Sequence, residues 1–181
     1  MAKKRKRHSA GESHPVQRRS GQHASPATGG APDDAIMAEM RIASRTHLGL
    51  IWRSVRLGLP LTGEDALTAR IMRQHEEWYG VWDQLAEDPN RDVEVDGASP
   101  ILHIMFHGTV ENQLAANEPE DVGLVLQALQ RQGMDRHDAI HRVAAVQSEE
   151  VYAVLNEQRP FDTAEYIRRL WELVDQDTAV H

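Results

Sequence analysis

The sequence predicts an all-α protein of five or six helices, arranged as an antiparallel, bundle-like domain over residues 33–181. Apolar residues recur at helical spacing from Asp33 onward, helix-capping residues separate these segments, and no segment has a clear strand pattern. At 181 residues the chain is long enough for one domain with its own core. Short turns between successive helices favour antiparallel neighbours.

A basic tail, residues 1–32, is predicted to precede this domain and to be disordered. It has almost no large apolar side chains, so burial cannot offset the entropy lost on ordering. Residues 1–30 hold seven lysines and arginines against one glutamate, whereas the rest of the chain carries a net charge of −14. The tail is therefore either a solubilising extension or a weak nucleic-acid contact through residues 3–19.

The first two helices are predicted on either side of the turn GLPLTGED. The first covers about residues 33–57 and the second about residues 63–86. Thr62 is expected to cap the second helix, and Asp65 to complete a capping-box pair with it. The polar segment EDPNRDVEVDG that follows is predicted to be a loop.

The third helix has a strong start signal. Ser99 can accept a hydrogen bond from a free backbone N–H, and Pro100 has no N–H to leave unpaired. This helix is expected to reach about Ala116. A fourth is expected to start at Pro119 and to end at Gly133.

The last two helices also have recognisable caps. Asp135 is expected to cap the fifth helix, which extends to about Asn156. Asp162 and Glu165 are expected to open the sixth.

Several classes of site are excluded by composition. The chain has no cysteine, so disulfides, thiolate nucleophiles and cysteine-based metal sites are absent. No apolar run approaches the roughly 18–20 residues of a membrane-spanning helix, and the basic start lacks the apolar stretch of a secretory signal. We therefore expect a cytoplasmic protein without a membrane partner. No phosphate loop or glycine-rich dinucleotide fingerprint is present, so no nucleotide cofactor is expected.

The stretch SPILHIMFHGTVENQ, in the third helix, contains one of two histidine pairs. Positions four apart lie on one side of a helix, so His103, His107 and Glu111 project together. Their immediate neighbours are apolar, which indicates a buried helix. A buried imidazole needs a partner for each ring nitrogen, and metal ions or carboxylates can supply one.

The fifth helix repeats this arrangement in DRHDAIHRV. His137 and His141 have the same spacing, and Glu149 follows two turns later. Bundle cores are common places for histidine and carboxylate metal sites. Weaker candidates are His75, Glu76 and Asp138.

Two interpretations of these residues remain open. The first is a site for zinc, iron, manganese or nickel, made of the two histidine pairs with Glu111 and Glu149 as ligands or orienting groups. The second is a non-catalytic interaction module whose histidines and glutamates form a hydrogen-bonded core network. No catalytic motif identifies a reaction, so the chain is not assigned as an enzyme, and assembly as a homo-oligomer is left open.

Isolated aromatic residues are interpreted as structural. His47, alone in the first helix, is expected to serve packing or capping. The four tryptophans lie at helical spacings and are predicted to belong to the core: Trp52, Trp78, Trp82 and Trp171.

At these motifs the sequence resembles the bacterial domain of unknown function family 1841. The resemblance covers about residues 60–173. The segment SPILHIMFHGTVENQL is similar to a family segment that contains NP-x-LH-x-x-x-H, and HDAIHRVAAVQSEE is similar to an H-x-x-x-H segment followed by a glutamate. The family implies no activity, but its pattern implies that the two histidine pairs belong to a shared polar or metal centre.

Overall fold

The computed structural model describes residues 31–91, 93–95 and 97–178 of the chain. The prediction of an all-α fold is confirmed: these residues form seven α-helices and one short 3₁₀ helix at Glu76–Trp78, and no strand longer than an isolated bridge. The helices are α1 (Ala31–Arg56), α2 (Gly63–Gln74), α3 (Tyr79–Glu87), α4 (Pro100–Ala116), α5 (Glu120–Arg131), α6 (Arg136–Glu157) and α7 (Thr163–Thr178). No helix in this part of the chain is long and apolar enough to cross a membrane. The predicted disordered tail lies outside the described residues, apart from residues 31 and 32, which already belong to α1.

The predicted second helix is wrong in one respect, because it is interrupted at His75. The backbone there has φ −114° and ψ 71°, and the 3₁₀ turn that follows redirects the chain into α3. The His75 imidazole is fully buried and contacts other histidines, so tertiary packing overrides the helical preference of RQHEEW. This break contributes to a total of seven helices instead of the predicted five or six.

The predicted capping box at the start of α2 is also wrong. Thr62 is the N-cap residue, but its side chain makes no capping hydrogen bond. Gly63 has φ +58°, which turns the backbone away from the ordinary capping geometry. The Asp65 carboxylate lies 2.9 Å from His47 Nε2 instead, and His47 is exposed.

The other predicted caps are confirmed. Ser99 Oγ accepts a hydrogen bond from the Leu102 N–H at 3.3 Å. Asp135 accepts from two N–H groups of the first turn of α6, and Asp162 accepts from the N–H of Glu165. The caps at Ser99 and Asp135 determine where the two histidine-bearing helices, α4 and α6, begin.

Two apolar clusters form the interior, and α4 takes part in both. The N-terminal core joins α1, α2, α3 and the start of α4: Leu48, Ile51, Trp52, Ala69, Ile71, Met72, Trp82, Leu85, Val93 and Ile104. The C-terminal core joins the end of α4 to the last three helices: Val110, Val122, Val125, Leu126, Leu129, Ala139, Ile140, Val143, Ala144, Val146, Tyr166 and Leu170. On α4 itself, His107 therefore lies between Ile104 of one core and Val110 of the other.

Gly49 allows α1 and α3 to approach closely. A Cβ atom at this position would lie 2.6 Å from the backbone oxygen of Leu85 and 3.1 Å from the Cα of Ala86. Backbone atoms cannot move aside as the end of a side chain can. A larger residue at Gly49 would therefore force the two helices apart.

The core prediction for the tryptophans holds in part. Trp52 and Trp82 are fully buried in the N-terminal core. Trp78 is partly buried and packs on the histidines. Trp171 is 37% exposed, so its core assignment is wrong; its indole N–H donates to Asp121 at the surface between α7 and α5.

Candidate metal centre

Three structural elements bring five histidine rings together. His75 comes from the break after α2, His103 and His107 from α4, and His137 and His141 from α6. The ring centroids of the contacting pairs are separated by 4.3 Å to 5.5 Å. We call these five residues the histidine cluster. The helical spacing of the two predicted pairs places both members of each pair in the cluster.

Three ring nitrogens of the cluster converge on one point. The Nε2 atoms of His75 and His103 are 2.9 Å apart, and that of His141 is 3.3 Å from each of them. His107 joins this set: one ring nitrogen from each of the four residues lies within 4.8 Å of all the others. The four histidines therefore have the geometry to hold a metal ion.

The backbone determines the tautomer of His75. Its Nδ1 lies 2.9 Å from the carbonyl oxygen of Ile71, and because a carbonyl can only accept, Nδ1 must carry the hydrogen. In the neutral ring Nε2 then has a free lone pair, which is directed toward His103 and His141. A carbonyl that orients a histidine through its second nitrogen is the usual support of a metal-binding imidazole.

Hydrogen bonds within the cluster cannot satisfy all of its nitrogens. The lone pair on His75 Nε2 can accept one hydrogen bond, from His103 or from His141. Three Nε2 atoms in mutual contact have too few lone pairs to form a good hydrogen bond between every two of them. In addition, Nε2 of His107 and Nδ1 of His137 are buried without any hydrogen-bond partner. Unpaired buried polar atoms are uncommon in folded proteins, and a missing ion or ligand is one explanation for them.

The cluster favours neutral imidazoles. Burial, reinforced by the neighbouring histidines, lowers the pKa of His103 to about 4 and that of His107 to about 2. Burial also lowers the pKa of His75 and of His141. A metal ion binds the neutral form, so these four side chains are already in the required protonation state at neutral pH.

The predicted carboxylates lie elsewhere. Glu111 is buried, but it accepts two hydrogen bonds of 2.7 Å from the Arg136 guanidinium, which holds the pKa of Glu111 below its usual range. Glu149 is exposed and pairs with Arg169. Among the described residues, the group with metal-binding spacing contains histidines alone and does not include Glu111, Glu149, Glu76 or Asp138.

The structure changes the ranking of the predicted histidines. His75 was a weaker candidate from the sequence, yet it lies at the centre of the site. His137 contacts the rings of His75, His107 and His141, but it does not contribute to the group of four nitrogens.

Trp78 and Arg136 are two neighbours of the site that sequence reasoning did not identify as functional. The Trp78 ring stacks on His75 with a centroid distance of 5.0 Å and an interplanar angle of 5°, and its edge meets His103. Trp78 follows His75 by three residues, a spacing that was visible in the sequence. Arg136 directly precedes His137 and neutralises Glu111.

A cavity of about 230 Å³ lies beside the cluster. We call it the α4–α6 cavity; its lining residues are His103, Phe106, His107, His141, Ala144, Ala145 and Ser148. Ala145 is exposed, so the cavity opens to the surface there. Three of the four histidines whose nitrogens converge therefore line this cavity.

Comparison with known proteins identifies a family. Residues 40–172 match the family described as domain of unknown function DUF1841, which confirms the resemblance seen in the histidine motifs and extends it back into α1. No curated protein and no solved structure matches the chain. Because the family match covers well over half of the 181 residues, the chain belongs to the DUF1841 family.

Proposed function

We propose that this protein binds one divalent transition-metal ion in the histidine cluster. The ligands are the Nε2 atoms of His75, His103 and His141, with His107 as a further nitrogen donor. The observation that carries the proposal is the mutual approach of the three Nε2 atoms to 2.9–3.3 Å. The unpaired buried Nε2 of His107 supports it.

The spacing of the three nitrogens suits a metal ion. Zinc binds histidine nitrogen at about 2.0–2.1 Å, and tetrahedral geometry then separates two ligand nitrogens by about 3.3 Å. Three nitrogens at the observed distances can all lie about 2 Å from one ion slightly out of their plane. In a network of hydrogen-bonded imidazoles, two ring nitrogens that already share a hydrogen bond do not attract a third ring nitrogen to the same point.

The donor set discriminates among metals. Four imidazoles without a carboxylate suit zinc, nickel, copper and iron, whereas manganese and magnesium prefer oxygen ligands. Of the four metals considered from the sequence, zinc, nickel and iron are therefore favoured over manganese.

The rival interpretation, an interaction module with a histidine and glutamate network, has less support. Such a network needs hydrogen bonds between the imidazoles and Glu111 or Glu149. Both carboxylates instead accept hydrogen bonds from arginines, namely Arg136 and Arg169.

Elemental analysis of the untagged protein tests the proposal. The protein is incubated with zinc, nickel, iron(II) and manganese in turn, desalted and measured for bound metal. We expect about one zinc or nickel ion per chain and far less manganese. His103→Ala and His141→Ala should each lose most of the bound metal, because both remove a ligand from the same site.

The control is His47→Ala, the same substitution at an exposed histidine of α1 that belongs to no cluster. It should bind metal like the natural protein. Circular dichroism establishes that each variant is folded. Bound metal below about a tenth of an ion per chain for every metal tested, or equal loss in His47→Ala, would overturn the proposal.

A further inference from the structure

We infer that the bound ion keeps an exchangeable coordination position facing the α4–α6 cavity, and that a small monocarboxylate binds there as an additional ligand. This inference rests on the proposed metal site and adds the class of ligand that the site accepts.

The histidines approach the ion from one side. The Nε2 atoms of His75, His103 and His141 form a triangle, which corresponds to one face of a coordination polyhedron. Zinc sites with three histidines commonly complete their coordination with water or substrate and can expand to five ligands. One ring nitrogen of His107 belongs to the group of four, so His107 can act as a fourth ligand or contact a group bound to the ion.

The α4–α6 cavity gives a further ligand a route to the site. His103, His107 and His141 line the cavity, whereas His75 does not, and the Ile71 carbonyl holds the His75 ring through Nδ1. The remaining lining residues are apolar, apart from the hydroxyl-bearing Ser148. A molecule entering past the exposed Ala145 therefore meets three of the four histidines of the site.

The charge of the site favours an anion. Imidazole ligands are neutral, so no ligand in the group of four offsets the double positive charge of the ion. The Glu77 and Asp138 carboxylates act on two of the histidines only from outside that group. Glu111 does not offset this charge, because Arg136 already pairs with its carboxylate. A buried and uncompensated charge is costly, and an anionic ligand lowers that cost.

The lining of the cavity favours a single negative charge joined to a short apolar group. No arginine, lysine, aspartate or glutamate lines the cavity, so the ion itself must bind the anion. Phe106, Ala144 and Ala145 supply apolar wall. A volume of about 230 Å³ is several times the roughly 30 Å³ that a water molecule occupies in the liquid. A carboxylate with a short alkyl chain, such as acetate, propionate or butyrate, fits both requirements.

The test uses the protein loaded with cobalt(II), whose visible spectrum reports changes in its ligands. Acetate, propionate and butyrate are titrated into the cobalt protein at constant ionic strength. We expect a saturable spectral change for each carboxylate and none for 1-propanol, which has a similar chain without the charge. Sodium chloride at the same ionic strength should not reproduce the change.

Ala145→Phe tests the location of the ligand. This substitution places a large ring at the exposed rim of the cavity and leaves every histidine intact. The variant should still bind one cobalt ion, while its affinity for butyrate falls by about tenfold or more. Ala115→Phe, at an exposed position of α4 outside the cavity, is the matched control and should bind butyrate normally.

The outcomes separate the two proposals. Absence of bound cobalt, zinc and nickel alike would overturn the metal site itself. Cobalt binding with a spectrum that carboxylates leave unchanged, or that chloride or 1-propanol changes equally, would overturn only the ligand inference. Undiminished butyrate binding in Ala145→Phe would place the ligand outside the α4–α6 cavity and would also overturn it.

Discussion

The polar groups Glu150 and His141 of α6 differ in how fully the chain supplies their hydrogen-bond partners. Near the end of α6, the Glu150 carboxylate is 1% exposed and accepts hydrogen bonds of 2.6 and 2.9 Å from Arg159 and one of 2.8 Å from the N–H of Asp162. Near the start of α6, His141 belongs to the histidine cluster, in which nitrogens meet nitrogens and two buried ring atoms have no partner. The chain itself therefore supplies the hydrogen-bond donors that the Glu150 carboxylate needs.

This difference separates a structural role from a binding role. A buried charge whose oxygens are all paired holds together the segments that supply its partners, here the end of α6 and the start of α7. A buried group that the chain leaves unpaired costs folding free energy, and such costs persist mainly at functional sites. The contrast supports reading the histidine cluster as a binding site that a metal ion completes.

The largest effect on stability is expected from removing the charged partner of Glu150. Arg159→Ala leaves the buried Glu150 carboxylate without its charged partner, which should lower the free energy of unfolding several times more than loss of an exposed ion pair does. Arg168→Ala removes an exposed arginine that pairs with Glu165 and Glu172, and it should lower the free energy of unfolding only slightly. Denaturant unfolding measures both. Equal losses in the two variants would contradict the structural role given to Glu150.

The next largest effect on stability should come from zinc binding to the histidine cluster. Zinc at a hundred times its dissociation constant should stabilise the folded protein by about 2.7 kcal/mol, since it binds the folded site. Thermal unfolding with and without a chelator measures the difference. His103→Ala should show no response to zinc, while His47→Ala should respond fully. A zinc response retained by His103→Ala would show that the metal stabilises some other site.

Acidification should weaken the histidine cluster and the Glu150 ion pair over different pH ranges. The folded pKa of His103 is about 4 and that of His107 about 2, below the usual value near 6.5. The unfolded chain therefore takes up protons that the folded chain refuses, so stability of the metal-free protein falls as pH drops below about 6.5. Each such imidazole contributes up to about 1.4 kcal/mol per pH unit until its folded pKa is reached.

Protonation of Glu150 also lowers the stability of the folded protein, but at lower pH. Arg159 holds its pKa at about 2, so its contribution is present above about 4.5 and is lost as the pH falls toward 2. Urea unfolding of chelator-treated protein between pH 7 and pH 5 isolates the histidine window. His103→Gln should have a shallower slope there than the natural protein; identical slopes would contradict the assignment to the cluster.

The smallest effect on metal binding is expected at Glu111, which the sequence predicted as a ligand and which pairs with Arg136 in the structure. Glu111→Gln should change metal affinity by less than about tenfold and leave the stoichiometry unchanged, because the carboxylate lies outside the group of histidine nitrogens. Metal titration of this variant beside His103→Ala measures the difference. A loss as large as that of His103→Ala would show that Glu111 is a ligand.

Some parts of the site followed from local sequence and others did not. The caps at Ser99 and Asp135 place α4 and α6, and helical spacing then directs each histidine pair to one side. The importance of His75 was underestimated, because the break after α2 depends on packing with histidines far along the chain. The glutamates were predicted as ligands because their spacing matched, but spacing does not reveal which arginine will reach them.

The sequence by itself determined the all-α class, most helix starts and the presence of two histidine pairs on the buried sides of two helices. These properties depend on contacts within a few turns, which neighbouring residues specify directly. Only the tertiary structure decided that His75 completes the group of four, that Glu111 pairs with Arg136, and that a cavity opens beside His107. Each of these outcomes depends on how separate helices pack against one another, and that packing is set by the whole interior at once and not by any single segment.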